Sequence, residues 1–259
     1  MGHIRLARLP RTRRWDQVLK LLRAGGDIRD LAAATARAAE TELQSASGDP
    51  ALAYSVWLLT QLPLAARSDQ FHQKLAEFGF AAGAHQSVLN LVADFSLAVD
   101  RNVADSAERT DLGEFARQAA VESLSAFLGP APQSLFGTSA DDLQRELGRL
   151  ATKDRFADLA REFFARITQK TLEYYVSREL ANYVGPHSSI PSIDDQIRFR
   201  DALAKHCREA ALIVEAFAGG WYSKSNFKGT LTPASAQAFA DYALKKMRDE
   251  LRARRGANG

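Results

Sequence analysis

Apolar side chains return every three or four positions along most of this chain, a spacing that gathers them on one side of an α-helix. Trp15, Val18, Leu19 and Leu22 form the first such stripe, and Leu52, Val56, Leu59 and Leu62 the next. Leu91, Phe95 and Val99 follow, then a less regular set at Phe115, Ala119, Leu124 and Leu128. Phe156, Ala160, Phe163, Ile167 and Tyr174 describe one long helix from about Asp154 to Val184, with no Gly or Pro inside it. At the α-helical rise per residue it would extend about 45 Å. Leu203, Cys207, Ala210, Val214 and Phe217 read as one further helix, and Phe239, Ala243, Met247 and Leu251 as the last. No segment of useful length alternates with period two. Ile4–Leu9 alone reads better as an extended arm. The pattern predicts an all-α fold, an irregular bundle of about nine to ten helices.

The residues between the stripes are helix punctuation. Asp27, Asp49 before Pro50, Asp111 with Glu114, Ser139 with Asp142, Ser192 with Asp195, and Thr232 before Pro233 have the chemistry of N-caps. A short side-chain oxygen there accepts first-turn amide hydrogens that have no partner within the helix. Proline directly after the cap loses nothing, because its missing N–H would be unpaired anyway. Gly25-Gly26, Gly48, Gly129-Pro130, Gly185-Pro186, Gly219-Gly220 and Gly256 read as stops. The clearest internal break is Gly129–Gly137, where two prolines and two glycines intervene. It suggests an N-terminal helical region over 1–128 and a C-terminal one over 138–259. Leu135 and Phe136 within the break suggest docking of the two as one globular unit. No repeat at the periods of helical solenoids is visible.

Composition adds modest bounds. An apolar content of 46% with 25% charged residues suits a globular chain. A single cysteine, Cys207, rules out an internal disulfide and any multi-cysteine zinc site. Met1–Arg14 holds five arginines and no apolar run of signal-peptide length, and the uncharged stretches Ala51–Ala66 and Phe78–Ala93 are interrupted by Pro63, Gly79 and Gly83. These features predict a cytoplasmic protein with no membrane span. The preponderance of Arg over Lys, with abundant Ala, suggests a bacterial origin. The net charge of +3 conceals basic ends, over 1–29 and 245–259, around an acidic middle. Such ends suit phosphate or an acidic partner, and equally a helix dipole.

Most reactive constellations are missing. No glutamate is followed three residues later by a histidine, as di-iron bundles require. The zincin spacing, the phosphate-cradling glycine loop, the dinucleotide fingerprint and the serine elbow are absent too. His206 and Glu209 have a ligand-like spacing but read as a helix-surface pair. Asp194-Asp195 is similar to the paired aspartates of all-helical prenyl-transfer enzymes, but the third carboxylate is replaced by Arg198 and acids belong at a helix start. No catalytic residue, metal ligand or cofactor site is assigned.

Three places stand out as candidate contacts. Tyr174, Tyr175, Arg178, Glu179, Asn182, Tyr183 and His187 could line a polar pocket at the end of the long helix, with Tyr175, Arg178, Glu179 and His187 its best members. Against this, a helix can pack its tyrosines while their hydroxyls find water. Gly219–Gly229 reads as a loop in which Trp221, Tyr222 and Phe227 alternate with Lys224 and Lys228. It would stack bases and hold phosphates, anchor a protein partner, or plug the core with Trp221 and Phe227. The arm, with Arg11, Arg13 and Arg14 foremost, could follow a phosphate backbone, though no helix-turn-helix stands behind it. The leading expectation is a non-enzymatic helical interaction or scaffold protein, an accessory subunit of a larger bacterial assembly with a protein partner. The alternatives are an accessory nucleic-acid-binding protein using the basic termini and the aromatic/Lys segment, and an enzyme with an unrecognised site.

Overall fold

The computed structural model describes residues 3–4, 12–24, 27–38, 43, 48–81, 87–106, 109–129, 140–180 and 192–253, with the side chains at 3, 4, 105, 106 and 178–180 left aside. Among these residues the fold is all-α. After a two-residue strand β1 (His3–Ile4) come α1 (Arg13–Ala24), α2 (Ile28–Ala38), α3 (Pro50–Ala66), α4 (Phe71–Glu77) and α5 (Val88–Ser106). A second short strand, β2 (Arg109–Thr110), precedes α6 (Asp111–Leu128), α7 (Ala140–Arg149), α8 (Lys153–Leu180), α9 (Ile193–Ala210), α10 (Leu212–Phe227) and α11 (Pro233–Ala253). The strands pair in parallel, His3 opposite Arg109 and Ile4 opposite Thr110.

The eleven helices among the described residues exceed the expected nine to ten for two reasons. The seven-residue α4 is too short to show a stripe. The helix expected through Leu203 and Phe217 is two helices, divided at Ala211, whose backbone turns with ψ near −8°. The long helix α8 is 28 residues, about 42 Å at the α-helical rise; the expected continuation over 181–184 lies outside the described residues. Ala210 and Ala211 are both fully buried, so the chain changes direction inside the core.

Helix α3 is the centre. Its buried residues lie all round it, from Ala51 and Leu52 through Val56, Leu58, Leu59 and Leu62 to Ala65. A helix that is apolar on every side must be covered on every side, and α4, α5, α6, α7 and α11 pack against it. Pro63, expected as an interruption, sits in the last turn of α3, which continues to Ala66. No described helix is long and apolar enough to cross a membrane. The second half of the molecule is built on α8, which packs against α6, α9 and most extensively α10. Ion pairs lie along these seams: Glu122 of α6 with Arg166 (3.2 Å) and Lys170 (2.7 Å) of α8, and Arg161 of α8 with Glu215 of α10 (2.8 Å). Each contributes little on an exposed surface, and the stabilisation comes from the buried side chains. These form one continuous cluster drawn from both sides of residues 129–137.

Two glycines end helices by adopting positive φ. At Gly79 (φ 84°) the Phe80 N–H reaches the Leu75 carbonyl and the Gly79 N–H the Ala76 carbonyl, both at 3.0 Å. At Gly229 (φ 64°) the Thr230 and Gly229 N–H groups close on the Ser225 and Asn226 carbonyls at 2.9 and 3.0 Å. This paired closure satisfies carbonyls that the helix leaves open. Gly219-Gly220, expected as a stop, lies inside α10.

Candidate functional site

Helices α3 and α6 begin side by side. Asp49 caps α3, one carboxylate oxygen accepting the Ala51 and Leu52 N–H groups at 3.0 Å each. Its other oxygen accepts the Thr110 hydroxyl at 2.5 Å, and the Thr110 Oγ1 in turn accepts the Gly113 N–H at 2.8 Å to cap α6. The cap of α6 is thus Thr110, one residue before the expected Asp111, because Thr110 holds the extended backbone a cap needs (φ −122°, ψ 154°). Gly113 permits the approach: a methyl group there would lie 2.8 Å from the Ala51 Cβ.

Beside this junction is an open cleft of about 280 Å³, lined by Ala51, Val99, Val103, Asp100, Arg109 and Thr110, with Gly113, Glu114 and Arg117 closing it. Its charges largely serve one another. Arg117 Nε donates to Glu114 at 3.0 Å, Arg117 Nη2 donates to the second Glu114 oxygen, and Asp100 lies 3.8 Å from the same guanidinium. Gln118 adds a donor to Glu114 at 2.7 Å. Burial opposes ionisation of Glu114, but the hydrogen bonds from Arg117 and Gln118, with the charges of Arg117 and Arg109, outweigh it and hold the carboxyl below the usual range. An ionised, fully engaged Glu114 is a poor general acid or base at neutral pH.

The lowered value carries a sign. A carboxyl with a depressed folded pKa adds stability above its ordinary value of 4.5, and that stability is lost as pH falls through the lower folded value. Glu114→Gln should therefore melt lower than wild type at pH 7, and the gap should close as pH falls from there into acid through the lowered folded value. The group is more than a third exposed, so solvent screening keeps the difference below about 1 kcal/mol. Melting curves of both proteins across that pH range test this, and a gap that persists in acid would contradict it.

Of the segments singled out by sequence, Gly219–Gly229 is placed differently from expectation. Gly219–Gly229 is not a loop: α10 runs through it to Phe227, because Gly219 faces a neighbouring helix and does not terminate its own. Trp221 stacks on Phe239 of α11 (centroids 4.0 Å apart) and Tyr222 on Phe156 of α8 (4.0 Å). Tyr222 is buried, so its ring offers no outward face for a base or a partner, and Trp221 has given one of its faces to Phe239. Burial also pushes the Tyr222 phenol up, against the opposing charge of Arg67. Lys224 and Lys228 are exposed. At the end of α8, Tyr175 is buried against Trp15 (5.9 Å) and Tyr174 (5.6 Å), as a packing residue. Arg178 and Glu179 belong to α8 but their side chains, like His187 and Arg11, lie outside the description. Arg13 is exposed at the start of α1, and Arg14 points a guanidinium toward the Arg37 carbonyl at 3.5 Å. Asp195 caps α9 with Ser192, whose Oγ accepts the Asp195 N–H at 3.2 Å and donates to its carboxylate at 2.6 Å. Cys207 is fully buried, and burial with the nearby Glu173 charge raises its thiol far from the thiolate, despite Arg208.

What the sequence reading missed is the outer face of α10. Leu212, Ala216, Gly220, Ser223 and Phe227 recur at steps of four, four, three and four, and all are exposed. That spacing keeps them on one side of the helix. The face carries no charge, its middle is small, and its last residue is the most exposed large apolar side chain described, Phe227 at 92%. A methyl group added at Gly220 would meet nothing within 4 Å. A mid-helix glycine costs about 1 kcal/mol relative to alanine, and among the described residues no close packing at Gly220 offsets it. Tyr242 of α11, half-exposed and 4.9 Å from Phe217, widens the patch on one flank. Phe217, Trp221 and Phe239 beneath it form a rigid aromatic base.

Among the described residues no three His, Cys, Asp or Glu side chains converge to hold a metal ion. Comparison with protein-family models, with curated proteins and with solved structures gives no match to this chain.

Proposed function

We propose that the chain is a non-enzymatic helical interaction protein, an accessory or scaffold subunit that docks a protein partner on the outer face of α10. The observation that carries this reading is Phe227, 92% exposed at the end of an uncharged helix face whose midpoint, Gly220, is open. Covering an exposed aromatic of this size removes a large apolar area from water, and aromatic residues are enriched in the cores of protein interfaces. Gly220 lets a second backbone approach closely, which is of use to a packed partner. The rigid aromatic base below the face supports a preformed docking surface, which reduces the ordering cost of association.

The test is affinity capture from the native host with the wild-type chain and with Phe227→Asp. The wild type should recover one partner in stoichiometric amount, and Phe227→Asp should lose it while melting within about 1 °C of wild type, since an exposed position contributes little to stability. Recovery of no stoichiometric protein, or equal recovery by both, would refute the assignment.

A further inference from the structure

The exposed charges at the C-terminal end of the α10 face are positive. Lys224 and Lys228 flank Phe227, both exposed and with no ion pair among the described residues. Between Glu215 and Asp241 the chain contains no acidic residue, and its basic residues there are Lys224 and Lys228, so the charge of this stretch is positive and sits at the C-terminal end of α10. Glu215, at the other end of α10, is already neutralised by Arg161 at 2.8 Å. A partner arriving at Phe227 therefore meets an apolar strip bordered by two exposed lysines. From this juxtaposition we propose that the face receives an acidic amphipathic helix of a partner protein, its apolar side laid on Leu212, Ala216, Gly220 and Phe227 and its carboxylates on Lys224 and Lys228.

The parts divide the work. Phe227 and Leu212 are bulky ends and Ala216, Gly220 and Ser223 a shallow middle, so a helix lying along the strip is held at both ends and drawn close between them. Apolar residues at i, i+3 or i+4 and i+7 of the incoming helix would meet this strip. The lysines choose among such helices by charge, since an acidic flank gains attraction and a basic flank meets repulsion. Anionic membrane or nucleic acid would also be attracted by two lysines. Neither would benefit from a small-residue middle that lets a second backbone come near, and that favours a helix.

The inference rests on the docking reading above and goes beyond it in naming the partner's chemistry. It is tested by selecting binders from a displayed library of helical peptides with randomised surface positions, using wild-type protein and counter-selecting on Phe227→Asp. Peptides that depend on Phe227 should carry net negative charge. They should lose at least about tenfold in affinity to Lys224→Glu/Lys228→Glu, at 1.4 kcal/mol per decade, and a similar factor to Gly220→Leu, which fills the open middle without disturbing the helix. Lys-for-Glu versions of the same peptides should prefer the charge-reversed protein. Phe227-dependent binders that are neutral or basic, or that ignore the lysines, would overturn the acidic-helix inference and leave the docking face standing. A library that yields no Phe227-dependent binder would remove both. Phe227-dependent binding of phosphatidylglycerol vesicles or of a single-stranded oligonucleotide, tighter than any selected peptide, would replace the inference with a membrane or nucleic-acid surface.

Discussion

Gly219→Ala should lower the melting temperature by about 5–10 °C, while Gly220→Ala, one residue on, should leave it unchanged or raise it by about 2 °C. The two glycines face opposite environments. A methyl group at Gly219 would lie 2.4 Å from the Lys153 backbone carbonyl oxygen and 3.1 Å from its carbon. Backbone cannot swing aside as a side-chain tip can, so α8 and α10 must separate where they pack most extensively. Overpacking of this kind costs typically about 1–3 kcal/mol and sometimes more, against which alanine's better helix propensity returns about 1 kcal/mol. Displacing the first turn of α8 also disturbs Phe156, which stacks on Tyr222, and that places the net loss near about 2–3 kcal/mol. At Gly220 only the propensity gain remains. Thermal unfolding of the two single variants decides it: equal melting temperatures would mean that the helices do not cross at Gly219.

The second large effect is expected at Asp49. Asp49→Ala removes the acceptor of two amide hydrogens and of the Thr110 hydroxyl in one step, at a site only 7% exposed. Loss of a helix cap costs about 1–2 kcal/mol, and each buried donor left unpaired adds about 1 kcal/mol or more, giving about 3–4 kcal/mol in all. Asp49→Asn keeps an oxygen for the Ala51 and Leu52 amides and should lose only about 1 kcal/mol. Thr110→Val removes the α6 cap and the hydroxyl that Asp49 receives. Because the two residues share one hydrogen bond, the double variant Asp49→Ala/Thr110→Val should be less destabilised than the sum of the singles by about 1 kcal/mol. Denaturant unfolding of the four proteins gives that coupling, and strict additivity would show that the two helix starts are independent.

Much of the architecture was legible in the sequence because helices are local. The stripes at Trp15, Val18 and Leu22, at Leu91, Phe95 and Val99, and at Phe239, Ala243, Met247 and Leu251 are all buried. The caps at Asp49, Ser192 and Thr232 read correctly, since a short oxygen-bearing side chain before Pro or an acid has few other local uses. Gly219-Gly220 looked like a stop because glycine ends helices, yet Gly219 is small in order to fit against Lys153 and the stop is Gly229, where φ is positive. Ala211 was hidden because the apolar spacing continues across the bend from Cys207 to Val214.

The candidate site was less legible. Aromatic residues are ordinarily expected to pack, and nothing local distinguishes Trp221 and Tyr222, which do, from Phe227, which does not. Exposure is set by which helices arrive on the other sides of α10, a tertiary matter. The charged cleft escaped notice for the same reason, as Asp100, Arg109 and Glu114 come from three separate elements. One local signal did exist: the twenty-five positions from Ala216 to Ala240 without an acid, in a chain where acidic and basic residues are nearly balanced.

The position of α3 has a consequence for biosynthesis. This helix leaves the ribosome well before α11, which covers one of its sides and is separated from it by the whole stretch from Ala66 to Pro233. At ordinary elongation rates the nascent chain carries an incompletely shielded, sticky helix for on the order of ten seconds or more. The growing polypeptide thus exposes an apolar side of α3 until α11 is made, and a messenger truncated ahead of α11 should yield a product more prone to aggregate than the full chain, even though most of its helices are encoded.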